Sequence, residues 1–165
     1  MTGKLIKSTT ICIFVCLLLF GCTRDDLCPA GAAVTPNLII RFKDVANPEN
    51  PKQVALNIFT GDANEKPILL WNITDSIALP LDVNRNRTDY IIEKYLFVGN
   101  DTLYWQDRLH VTYDRKDIYV NRACGFRSEF YEFQAEAESD NWIQAIMINK
   151  DSITDEKTAH LTIFH

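Results

Sequence analysis

Three histidines, His110, His160 and His165, are the side chains best suited to acid–base or metal chemistry near neutral pH. None of them adjoins a Ser, Cys or carboxylate in an arrangement that would activate a nucleophile. The 22 Asp and Glu residues are too numerous to single out a pair for general acid–base work. We therefore expect scattered surface histidines, no catalytic residue, no metal ion and no cofactor.

An alternative stays open, in which a small hydrolase or metal-dependent enzyme assembles its site only in the fold. Such an enzyme would place His110 or His160 within hydrogen-bond reach of buried carboxylates. A non-catalytic binding or structural module would instead present an exposed edge strand or an aromatic patch.

Cys22 lies at the end of a secretory-type leader. Lys4 and Lys7 precede an apolar run, Ile11–Phe20, and Gly21 supplies the small residue before the cysteine. The segment Leu19–Cys22 resembles a bacterial lipobox, in which cleavage before the Cys leaves its sulfur to carry a diacylglycerol. The run is short for a bilayer span, which needs about 20 apolar residues. We predict a lipoprotein signal peptide over 1–21 and lipidation at Cys22; an ordinary signal peptide cut elsewhere is the alternative.

The number of cysteines left in the mature chain predicts one disulfide. Cys12 and Cys16 leave with the signal peptide and Cys22 is acylated, so Cys28 and Cys124 remain. An even remainder in an oxidising compartment indicates a bridge, whereas two buried free thiols are the alternative. The bridge would tie the lipid-anchored tether, 22–35, to the domain that follows.

Alternating apolar residues dominate the chain from residue 36 to 165. The clearest runs, with turn-forming Asn, Asp, Gly and Pro clusters between them, are Leu38–Phe42, Val54–Ile58, Leu109–Tyr113 and Ile146–Ile148. A period of two indicates half-buried antiparallel strands. We predict an all-β domain over 36–165, an antiparallel β-sandwich of immunoglobulin-like type, with a barrel as the close alternative.

One stretch gives a mixed signal. Phe130, Phe133 and Ala137 have helical spacing, whereas the aromatic residues around them favour strand. We expect a strand here that runs into a loop or a helical turn.

Several short motifs resemble an uncharacterised family of small Bacteroidetes lipoproteins. After the predicted anchor Cys22, the motifs in chain order are Pro36–Phe42, Leu79–Leu81, Ala123–Phe126 and His160–Phe164. The resemblance implies an envelope location, a β-rich fold and the Cys28–Cys124 pairing. It carries no catalytic residue and no known activity.

Two further predictions depend on that resemblance. Arg24-Asp25-Asp26 resembles an acidic export signal for the cell surface, although it also suits a solvated tether. Ser76, Thr102 and Ser152 each follow Asp and precede an aliphatic residue, which resembles an O-glycosylation acceptor. The alternative for these triplets is turn chemistry before a strand.

Partner classes follow from charge and aromatic content. The net charge is -5 and the basic residues are scattered, so nucleic acid is not an expected partner. Trp71, Tyr104 and Trp105 adjoin turns, while Tyr90 and Tyr95 lie in an apolar run. We expect these rings to serve mainly in packing, with recognition of an envelope protein or glycan as the alternative. The predicted location is the cell envelope, through a lipid anchor in the outer membrane, on its periplasmic or surface face.

Overall fold

The computed structural model describes residues 27–138 and 140–165, and these residues form strands without a helix. The predicted signal peptide and Cys22 lie outside the described residues. The nine described strands are β1 (Leu38–Lys43), β2 (Val54–Thr60), β3 (Pro67–Thr74), β4 (Ser76–Leu79), β5 (Arg87–Val98), β6 (Asp101–Asn121), β7 (Gly125–Ala137), β8 (Ala145–Ile148) and β9 (Leu161–Phe164). The described part of the chain has no helix long and apolar enough to cross a bilayer.

Two sheets pack as a β-sandwich, which confirms the predicted fold class. The four-stranded sheet has the order β4-β1-β9-β8, and the five-stranded sheet has the order β3-β2-β5-β6-β7. Strand β1 pairs with β9 in parallel, whereas the pairs β1–β4, β2–β3, β2–β5, β5–β6 and β8–β9 are antiparallel. The first and last strands therefore lie side by side.

The core lies between the sheets, and in strands such as β1 and the middle of β6 alternate residues enter it as the sequence predicts. Leu38, Ile40 and Phe42 of β1 are fully buried and face Leu56 and Ile58 of β2 within one apolar cluster. Strands β4, β5, β6, β7 and β9 add further core side chains. Segments outside the strands contribute Leu81, Trp142, Ile143 and Ile153. This burial supplies the dominant stabilisation of the fold.

Strand β7 continues to Ala137, so the expected loop or helical turn is wrong. The cause is Glu132, whose φ of 51° breaks the alternation inside the strand. Phe130 and Phe133 both reach the core although they are three positions apart, a spacing that places residues of a regular strand on opposite faces. The helical spacing of the apolar residues thus arises from an irregular strand.

The loop after β7 is held by a buried carboxylate on β6. Asp107 accepts main-chain hydrogen bonds from Asn141 (3.0 Å), Trp142 (2.9 Å) and Ile143 (2.8 Å). Trp142 also donates its indole N–H to the carbonyl of Ile92 (3.1 Å). Charge-assisted bonds of this kind offset the desolvation of the carboxylate.

The chain divides into two compact units. Among the described residues, one unit combines 27–33 with 119–126, and the other combines 34–118 with 127–138 and 140–165. Within the first unit, Cys28 and Cys124 form a disulfide with their Cα atoms 4.8 Å apart, as predicted. The sandwich contacts above belong to the second unit.

His160 and His165 flank β9 as the sequence indicates, but the expectation of surface histidines is wrong for both. The His160 side chain is 0% exposed, and its Nδ1 accepts a hydrogen bond from the Ile39 N–H (3.0 Å). The ring of His165 packs edge-on to Phe42 and Trp142. Burial lowers the pKa of each imidazole below its usual value of 6.5, because the charged form loses its hydration.

We expect these histidines to make stability depend on pH. Since the unfolded state takes up protons more readily than the folded state, the free energy of unfolding falls as the pH drops below about 6.5. In His160→Asn the amide oxygen can still accept from Ile39, but the group no longer titrates. Urea denaturation between pH 7 and pH 5.5 should give a shallower loss of stability in the variant, by about 1 kcal/mol over that range. Equal slopes for the two proteins would contradict the assignment.

Candidate functional site

The outer face of the five-stranded sheet carries the most distinctive group of side chains. Leu56 and Ile58 point into the core, so Asn57 between them points outward. The register places Asn57 opposite Glu93, and Glu93 opposite Gln106. One polar row thus crosses β2, β5 and β6.

The three polar side chains satisfy one another. Asn57 donates its amide to Glu93 Oε1 (2.8 Å), and Gln106 donates to Glu93 Oε2 (2.7 Å). Asn57 and Glu93 are buried although they lie on the outer face. Glu93 therefore needs both donors, because a buried carboxylate without hydrogen bonds is costly.

The same amide fixes the backbone of Trp71. Trp71 has a φ of 54°, which non-glycine residues seldom adopt. Between the Leu56–Asn72 and Ile58–Leu69 pairs, β3 has one residue more than β2, which is a β-bulge. The bulge turns the Trp71 N–H toward Asn57, whose Oδ1 accepts it at 2.8 Å.

Trp71, Tyr95 and Phe97 form an aromatic cluster on this face. The Trp71 ring lies 5.1 Å from Tyr95, edge-on, and 6.1 Å from Phe97, nearly parallel. Tyr95 and Phe97 are 5.4 Å apart. Tyr95 is only 3% exposed, whereas Trp71 is 56% and Phe97 62% exposed. Tyr95 is thus the buried base of two accessible rings.

Exposed apolar side chains extend the cluster. The β5–β6 turn, in which Gly99 has a φ of 65°, is flanked by apolar residues on both strands. On the outer face, Tyr104 lies opposite Tyr95 and Ile73 lies opposite Ala55, and both are exposed, as is Leu70 beside Trp71. Leu96, Val98 and Leu103 are also exposed, but the alternation of β5 and β6 places them on the opposite face of the sheet. The expectation of packing is confirmed for the buried Tyr90 and Tyr95 and for Trp105, which packs against the core. Trp71 packs across strands on Tyr95 and Phe97 but, like Tyr104, stays exposed. We use the name aromatic face for Trp71, Tyr95 and Phe97 with Leu70, Ile73 and Tyr104.

His110 lies on the same sheet, in a separate charged group. Its Nδ1 is 2.7 Å from both Asp89 Oδ1 and Arg87 Nη2, and its Nε2 is 3.3 Å from Glu138 Oε2. Burial raises the pKa of Asp89, but the bonds from His110 and Arg87 outweigh it and hold the pKa below its usual value. Arg108 makes longer ion pairs with Glu138 and Glu65.

This charged group meets only part of what a catalytic site requires. His110 does reach carboxylates, but Asp89 is half-exposed and Glu138 is 60% exposed. The contacts described for His110 include no hydroxyl or thiol that could act as a nucleophile. A cleft of about 390 Å³ is lined by Asp62, Asp82 and Asp89, among others, but its lining does not include His110. Among residues 27–138 and 140–165, no group of three or more His, Cys, Asp or Glu could hold a metal ion.

The predicted acceptor residues for O-glycosylation lie at three separate places. Ser76 begins β4, Thr102 lies opposite Phe97 in the β5–β6 pair, and Ser152 follows β8. All three are half-buried. Modification at these positions remains a prediction.

Comparison with known proteins gives one match. A family model described as a family of unknown function, DUF6452, matches residues 55–165, from within β2 to the end of the chain. No curated protein and no solved structure matches this chain. The expectation of an uncharacterised family is confirmed.

We expect Asn57 to be the central residue of the polar row. Asn57→Leu keeps a similar side-chain volume but removes the acceptor of the Trp71 N–H and one of the two donors to the Glu93 carboxylate. The substitution should lower the free energy of unfolding by roughly 2–5 kcal/mol. Gln106→Leu is the matched control, since it removes a donor at the exposed end of the row and should cost about 1 kcal/mol. Urea denaturation measures both. An Asn57→Leu protein no less stable than Gln106→Leu would contradict the assignment.

Proposed function

We infer the function of this chain, which belongs to the family of unknown function DUF6452, from its own residues. We propose that it is a lipid-anchored cell-envelope protein that binds a protein partner through the aromatic face and catalyses no reaction. The observation that carries the binding role is the exposed pair Trp71 and Phe97, set on the buried ring of Tyr95.

The envelope location is supported by the leader and by the disulfide. Lys4 and Lys7, the apolar run and Gly21-Cys22 have the order of a lipoprotein signal. The Cys28–Cys124 bridge suits an oxidising compartment, because thiols stay reduced in the cytosol.

A protein partner suits the aromatic face better than a glycan. The exposed side chains beside the rings on β3 are aliphatic, namely Leu70 and Ile73. Sugar recognition needs free polar groups beside the stacking rings, but Asn57 and Glu93 next to them are bonded to each other. An apolar patch with a central Trp is typical of a protein interface, where such residues supply much of the affinity.

The non-catalytic role is supported by the openness of the charged group around His110. General acid–base chemistry needs a group positioned against a bound substrate, with water excluded. Glu138 is 60% exposed and Asp89 is 32% exposed, and the salt bridges of Arg108 in this group are of the exposed kind that add little stability. The charged group around His110 is thus part of the solvated surface of the sheet.

We expect Cys22→Ala to release the protein from membranes, because the variant cannot take the diacylglycerol. Cell fractionation measures the release, and labelling with a fatty-acid analogue measures the acylation. Cys16→Ala is the matched control, since it changes a cysteine of the same leader that leaves with the signal peptide. Full membrane retention of Cys22→Ala would overturn the anchoring.

We expect the double variant Trp71→Asn with Phe97→Thr to bind the proposed protein partner much more weakly. Asn tolerates the left-handed backbone at position 71, so the fold should persist while the affinity falls at least about tenfold. Co-purification from detergent-solubilised membranes, with quantitative mass spectrometry, measures the partner. Met147→Gln is the control, since it changes an exposed apolar residue of the other sheet. Equal recovery with all three proteins would contradict the proposal, and so would a glycan recovered in place of a protein.

A further inference from the structure

The unit that contains the disulfide has an exposed aromatic surface of its own. Tyr119 and Phe126 flank the turn between β6 and β7, with their rings 5.4 Å apart and edge-on. Phe126 is 68% exposed, and Tyr119 and Leu27 are also exposed. Neighbouring exposed apolar side chains of this kind often mark a surface that contacts a partner molecule or a membrane.

The disulfide fixes this turn close to the predicted acyl chains. Cys28 is bonded to Cys124, which lies between Tyr119 and Phe126 in the turn. Cys22 precedes Cys28 by six residues. A chain of that length spans at most about 20 Å when fully extended. An acylated Cys22 would therefore hold the aromatic turn close to the membrane surface.

The charge and ring types of the turn suit a lipid surface. Arg122 is the only charged residue among residues 27–33 and 119–126, and it is exposed. One cation among apolar and aromatic residues contrasts with the net charge of -5 for the whole chain. Tyr is enriched where one end of the ring meets hydrocarbon and the other meets water, and Arg can reach lipid phosphate. In the tether, Asp25 and Asp26 outnumber the single positive charge of Arg24, so any attraction to anionic lipid comes from Arg122 in the turn.

We propose that Tyr119, Arg122 and Phe126 form a membrane foot, which rests on the phospholipid surface beside the lipid anchor. The proposal depends on the anchoring proposed above. Phe126 and Tyr119 enter the region between headgroups and acyl chains, and Arg122 pairs with lipid phosphate. A second attachment point beside the acyl chains restricts how the protein can tilt on the membrane.

The test uses the mature acylated protein in vesicles of phosphatidylethanolamine and phosphatidylglycerol whose acyl chains are brominated. Phe126→Trp places a fluorescent reporter in the foot, and Thr112→Trp places one at an exposed strand position. The wild-type signal of Trp71, Trp105 and Trp142 is subtracted from both. We expect the reporter at position 126 to be quenched at least about twofold more than the reporter at position 112. Combining Cys28→Ser and Cys124→Ser with Phe126→Trp should abolish the difference.

Each outcome decides between the two proposals. Mass spectrometry of the Cys22 peptide first establishes acylation, and an unacylated Cys22 overturns both the anchoring and the foot. An acylated protein whose reporters are quenched equally overturns the foot and leaves the anchoring in place. Quenching at position 126 that persists without the disulfide also overturns the proposal, because the proposal requires the disulfide to hold the turn beside the lipid anchor.

Discussion

The side-chain amide of Asn57 connects three strands of the five-stranded sheet, and the aromatic face depends on it. Its oxygen accepts the N–H of Trp71 and its nitrogen donates to Glu93. These bonds would be costly to lose, because the Asn57 amide and the Glu93 carboxylate are both buried. The strained backbone of Trp71 persists because this bond and the β-bulge compensate for it. The exposed indole is therefore set in place before any partner arrives, which limits the entropy that binding would cost.

Much of the sandwich could be predicted because apolar alternation is the direct signature of a sheet with one buried face. Strands β1 and β2 coincide with the runs that begin at Leu38 and Val54. Prediction failed where the period of two is interrupted. In β7 the positive φ at Glu132 makes the apolar spacing resemble that of a helix. In β3 the bulge at Trp71 disrupts the pattern in the same way, and no alternation marks this strand in the sequence.

The candidate site was less accessible to prediction than the fold. Exposure of Trp71 and burial of Tyr95 depend on which strands become neighbours, and strand order is not encoded in local spacing. Burial of His160 likewise follows from the packing of β9 beside β1. The disulfide could be predicted because compartment and cysteine count leave few pairings.

The proposed binding role is tested most directly at Ile73, which is exposed on β3 and belongs to the aromatic face. A photoreactive phenylalanine analogue at position 73 can be activated in intact cells, with the same analogue at Thr112, an exposed position on β6, for comparison. The account predicts a discrete cross-linked product with one envelope protein from position 73 and none from position 112. Identical products from both positions, or none from position 73, would contradict it.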